Sequence, residues 1–78
     1  MKIYIVLIEN PKTDPETKPF QDLKSAMDYA KQEKNDCLSC YDENIWFDEK
    51  EKGIPGYCCY SFYVDDGISI RITEEELQ

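Results

Sequence analysis

The segment KIYIVLIE, residues 2–9, is apolar on both alternating faces: Ile3, Ile5 and Leu7 on one side, Tyr4, Val6 and Ile8 on the other. Successive side chains of a strand point to opposite faces, so a segment of this kind needs cover above and below and belongs inside a sheet. Its apolar run, Ile3 to Ile8, is too short for a membrane span or a signal-peptide hydrophobic region. The remainder of the chain has to supply this strand with neighbours and with at least one covering layer.

One such layer is legible in DLKSAMDYAKQEK, where Leu23, Ala26, Met27 and Ala30 recur at helical spacing and Asp22 stands as N-cap. Two alanines on the stripe let the axis approach a sheet closely, and they are also plain good helix formers. Asn35-Asp36 is read as the helix end. The preceding segment, residues 10–19, holds three of the four prolines without periodicity and reads as a mobile loop.

A hairpin closes the chain, and its register follows from a consistency test on YSFYVDDGISIRIT. A two-residue Asp66-Gly67 loop would pair Tyr63 with Ile70 and mix polar with apolar residues on both faces. A three-residue Asp65-Asp66-Gly67 loop pairs Val64 with Ile68, Phe62 with Ile70 and Tyr60 with Ile72, which makes one face uniformly apolar. Gly67 then takes the left-handed position of a type I turn with a G1 bulge. Cys58 falls on the inner face with Tyr60, Phe62 and Val64, while Tyr57, Cys59, Ser61 and Tyr63 face outward.

Residues 37–49 give a weaker strand signal centred on Ile45 to Asp48, and residues 50–56 read as a turn. The expected architecture is a single α+β domain over 1–78 in the order β-α-β-β-β: a mostly antiparallel sheet, one amphipathic helix on one face and an acidic tail over 74–78. One helix cannot cover both sides of a sheet containing residues 2–9, so a second face should stay partly open. An open apolar and aromatic face marks a contact surface, for a foreign partner or for a homodimer.

Charge divides the chain in two. Residues 1–35 balance six acidic groups with six lysines, whereas from Asp36 onward eleven acidic groups face only Lys50, Lys52 and Arg71, so the whole net charge of −8 sits in the second half. Such a field repels nucleic acid and anionic membrane, whose phosphates are bound through lysine and arginine. With 41% hydrophobic and 13% aromatic residues the chain is nonetheless rich enough in apolar groups to fold.

Catalytic and cofactor chemistry finds little support. There is no histidine, which removes the commonest general base, and three glycines leave no phosphate-cradling loop. Paired carboxylates are adjacent in sequence rather than convergent. Cys37-x-x-Cys40 with Cys58-Cys59 could in principle give four thiolates for zinc. Neighbouring strand residues point apart, however, so Cys58 and Cys59 do not easily share an ion. A cytoplasmic, non-enzymatic protein with reduced thiols and no metal or other cofactor is expected, the zinc module standing as an alternative.

The distinctive feature is acidic residues interleaved with aromatics, in CYDENIWFDEKE and YSFYVDDG. Carboxylates on a rigid β surface imitate the phosphates of a duplex, and tyrosine and tryptophan tend to carry interface energy. In size, acidity, lack of catalytic groups and one-helix-on-sheet plan the chain resembles small inhibitors of phages and mobile elements, including anti-CRISPR and other DNA-mimicking anti-defence proteins. That resemblance implies an inhibitor occupying the basic, nucleic-acid-binding surface of a host defence protein. The expected contact residues are Trp46, Asp48, Glu49, Glu51, Tyr57, Tyr63, Asp65 and Asp66.

Overall fold

In the computed structural model, which describes residues 2–41, 44–51 and 58–76, β1 (Lys2–Glu9) is hydrogen-bonded on both edges. Its neighbours are β2 (Glu16–Phe20) and β5 (Ser69–Glu76); β4 (Cys58–Val64) and β3 (Phe47–Lys50) complete an antiparallel sheet of order β2-β1-β5-β4-β3. One helix, α1 (Leu23–Leu38), lies on one face. The result is the α+β plan expected from sequence, with one strand more.

That extra strand corrects the reading of residues 10–19 as a loop. Asn10 turns the chain, its Oδ1 accepting from Lys12 N at 2.9 Å and its carbonyl from Thr13 N at 3.1 Å. Glu16 to Phe20 then pair with Ile8 to Tyr4. Pro19 is tolerated because β2 is the edge strand, where a missing N–H need not break a ladder. Phe20 meets the Tyr29 ring at 5.4 Å and Lys18 Nζ sits 4.8 Å over that same ring, which ties the strand to the helix.

The core lies between α1 and the face of the sheet that carries Val6, Tyr60, Phe62, Val64, Ile70 and Ile72, all at most 1% exposed. Ala26 and Ala30 are fully buried beneath them, so the small side chains do set a close helix approach. Asp22 caps the helix, accepting from Ser25 N at 2.8 Å. The helix runs past Asn35-Asp36 to Leu38, because Cys37 and Leu38 continue the stripe that packs on the core and outweigh the weak propensity of Asn and Asp. Among the described residues no helix is long and apolar enough to cross a membrane.

The β4–β5 register is the one that burial selects: Tyr60 opposes Ile72, Phe62 opposes Ile70, and Val64 N donates to Ile68 O at 2.9 Å. Gly67 has φ +97°. A bulge interrupts the ladder lower down, where Cys58 pairs with Thr73 and Cys59 is the additional residue. Cys59 consequently packs against the core instead of facing outward, while the side chain of Cys58 lies outside the described residues.

Two boundaries also shift. The strand expected at Ile45 to Asp48 occupies Phe47–Lys50, and Glu74 to Glu76, expected in a tail, belong to β5 opposite Tyr4, Ile3 and Lys2. The long β1 offers those glutamates ladder partners, and Lys2 Nζ lies 3.6 Å from Glu74 Oε2. Residues 77 and 78 of the expected tail lie outside the described residues.

Candidate functional site

Strand alternation decides which acidic groups of β3 can meet a partner. Phe47 and Glu49 stand opposite Val64 and Phe62 and therefore share the helix side of the sheet, whereas Asp48 stands opposite Tyr63 on the open side. Trp46 precedes the strand and is 57% exposed; Tyr63 is 43% exposed, and their rings meet edge to face at 6.1 Å and 71°. This pair fixes two large amphipathic side chains on a sheet corner, where few rotamers remain to be frozen on binding.

The hairpin turn brings further carboxylates to that corner. Asp65 N donates to Trp46 O at 3.3 Å, so the turn and the approach to β3 are held together. Asp65, Trp46, Ile45 and Tyr41 line one shallow cleft. Asp66 is oriented differently: its Oδ2 accepts from Tyr41 Oη at 3.0 Å, and that bond is the first cause of the raised Tyr41 pKa, ahead of burial. Trp46, Asp48, Tyr63 and Asp65 thus form a single acidic-aromatic corner, in which Asp48 Oδ2 lies 3.8 Å from Lys50 Nζ and Asp66 is anchored at the margin.

Glu49 and Glu51 do not belong to it. Glu49 Oε2 accepts from Tyr60 Oη at 2.6 Å and from Lys34 Nζ at 2.9 Å, and Glu51 Oε1 is 2.6 Å from Lys31 Nζ. Burial pushes the Glu49 carboxyl up, but the bonds from Tyr60 and Lys34 and the positive charge of Lys34 and Lys31 outweigh it, so its pKa falls below the usual value. Both glutamates clamp the edge strand to the helix. Their adjacency to Asp48 and Lys50 held the signal, since neighbouring strand residues must face opposite ways. Tyr57 lies outside the described residues.

The cysteines disperse. Cys37, half-buried in the last turn of α1, has its thiol pKa pushed up by burial first and then by the charges of Cys40 and Asp66. Cys40 is exposed, its Sγ 3.6 Å from Asp36 O. These two line a cleft with Ile68 and Ile70, at the turn end of β5, whereas the Cys59 register lies at the Thr73 end. Among the described residues no three of His, Cys, Asp and Glu gather as metal ligands.

Tyr41 is the positioning residue that sequence reasoning missed. It stands next to the expected acidic stretch, but nothing in the linear order brings it to Asp66, 25 residues away. No protein-family model, curated protein sequence or solved structure matches this chain.

Proposed function

We propose that the chain is a non-enzymatic, acidic protein-binding inhibitor that occupies the basic surface of a nucleic-acid-handling defence protein, in the manner of a DNA mimic. The observation that carries this reading is the corner of Trp46, Tyr63, Asp48 and Asp65: two exposed aromatics locked edge to face and bracketed by carboxylates. Aromatic anchors supply contact area and the flanking charges supply orientation and encounter rate toward a positive cleft. The net charge of −8 adds long-range steering of the same sign. Among the described residues, zinc or catalytic chemistry draws no comparable support from the arrangement of side chains.

The test is capture on the immobilised chain from a bacterial lysate, with release by rising salt and, separately, by added duplex DNA. Expected are nucleic-acid-binding proteins that both treatments release and that the variant Asp48→Lys/Asp65→Lys no longer retains. Retained proteins indifferent to salt, duplex and charge reversal would overturn the reading, as would no retention at all.

A further inference from the structure

The open face of the sheet is not uniformly acidic. Around β1 it carries Ile3, Ile5 and Leu7, half-buried by their strand neighbours but not covered by the helix, which packs on the opposite side of the same strand. Pro19 and Thr73 flank Ile5, and Thr17 and Arg71 flank Leu7. Four of its charges are paired, Arg71 Nη2 with Glu9 Oε1 at 2.5 Å and Lys50 Nζ with Asp48 Oδ2 at 3.8 Å, while Glu75, opposite Ile3, stands exposed at the end of the row. With Glu9, Asp48 and Glu75 against Arg71 and Lys50, the strand residues of this face sum to −1 on a chain of net charge −8.

We infer that a second copy of this chain covers the open face, in a two-fold, sheet-on-sheet contact centred on β1 and β5. This inference does not rest on the proposed inhibitory function; it is centred on β1 and β5, on the same open side of the sheet that carries Asp48 and Tyr63 toward the β3 edge. A basic partner gains little from an apolar row with a single exposed carboxylate, Glu75, at its end, whereas a flat apolar row is complementary to itself across a two-fold axis. Two chains of like charge also meet with least repulsion where each has neutralised its own ions.

The size fits a weak dimer. Strands β2, β1, β5 and β4, about 4.8 Å apart and about 3.3 Å per residue along each, give a face of about 450 Å² per copy. Two copies therefore bury about 900 Å² together, the size of a weak, transient contact. The Trp46 corner, on the β3 side, stays at the rim.

Salt separates this contact from the acidic one. Screening relieves the mutual repulsion of two negative chains and leaves apolar burial intact, so dimerisation strengthens with salt, opposite to capture of a basic partner. The experiment is sedimentation velocity on the whole chain over a micromolar to millimolar series at low and high salt. Leu7→Lys and Ile5→Thr serve as test variants, and Leu23→Lys, on the exposed helix surface, controls for the added charge.

The expected result is a concentration-dependent dimer, favoured by salt, absent in Leu7→Lys, weakened at least tenfold in Ile5→Thr and retained in Leu23→Lys. Ile5→Thr keeps a strand-forming residue and so reads the interface even if the lysine variant fails to fold. A monomer at every concentration, a dimer that salt dissolves, or a dimer that both open-face variants retain would overturn the inference. The capture result is read separately, through charge reversal at Asp48 and Asp65.

Discussion

Tyr60 and Lys34 converge on one oxygen of Glu49, the hydroxyl at 2.6 Å and the ammonium at 2.9 Å. Three elements meet at that oxygen: β4 from the core, β3 from the sheet edge and α1 from the covering layer. Tyr60 is 1% exposed, and its hydroxyl meets this acceptor at the border of the core.

Replacement on either side of the bond measures its worth. Tyr60→Phe removes a hydroxyl bonded to a charged acceptor and should cost about 1.5–3 kcal/mol. Glu49→Ala removes the acceptor of that bond together with the Lys34 contact and should cost at least as much. Urea denaturation of both variants and of the double variant gives a coupling energy, expected in the range of about 0.5–3 kcal/mol; additive losses would show that the contact contributes nothing of its own.

The same junction contributes at both pH limits of stability. The Glu49 pKa is lowered from 4.5, so the unfolded carboxyl takes up its proton first as pH falls, and the stabilisation present above that value is lost progressively toward lower pH. The Tyr60 pKa is raised from 10.0, by burial first and then by Glu49, so its contribution is complete below pH 10 and declines above it as the unfolded tyrosine ionises. Thermal melts across the pH range should show both limbs. Tyr60→Phe should flatten the alkaline one, and Glu49→Gln the acidic one.

Gly67 is held by conformation and by space together. A side chain there must adopt φ +97°, and its Cβ would lie 3.2 Å from Pro11 Cγ. Gly67→Ala should destabilise by about 1–3 kcal/mol in chemical denaturation. Adding Pro11→Ala should restore only the contact part, because the backbone strain remains.

Ala30 sits fully buried where the helix meets the sheet. Ala30→Leu forces the helix outward and should cost about 1–3 kcal/mol. The displacement should also loosen the Lys34–Glu49 contact one turn further on. Hydrogen exchange is therefore expected to accelerate in β3 before β1, and equal acceleration in both strands would contradict the clamp.

At the acidic-aromatic corner, Trp46→Ala should leave the melting transition within about 0.5 kcal/mol of the parent, since the side chain is 57% exposed. Partner capture, by contrast, should fall at least tenfold, about 1.4 kcal/mol, as for an interface anchor. Comparable losses in both assays would recast Trp46 as a structural residue.

The hairpin register was legible because a one-residue slip would have turned Phe62, Ile70 and Ile72 toward solvent, and no other feature of the sequence could repair that. Strand β2 was not, since Pro19 and the surrounding polar residues carry no alternation; it forms because β1 presents an unpaired ladder edge. The Cys59 bulge has no local mark either, being imposed where the β4 ladder must join β5 beside Thr73. At the site, Trp46, Asp48, Tyr63 and Asp65 could be read from composition and alternation. The diversion of Glu49 and Glu51 into the helix clamp depended on lysines 15 and 20 residues away in sequence.

The two rims of the sheet differ in kind but act alike. One ends in β2, where Pro19 withholds a donor; the other ends in β3, only four residues long and carrying Asp48, Glu49 and Lys50. Neither rim is a good template for an incoming strand. Edge-to-edge addition is disfavoured at both rims, which leaves the sheet face as the more favourable route for self-association. A sheet with open, apolar rims would instead risk extending into fibres.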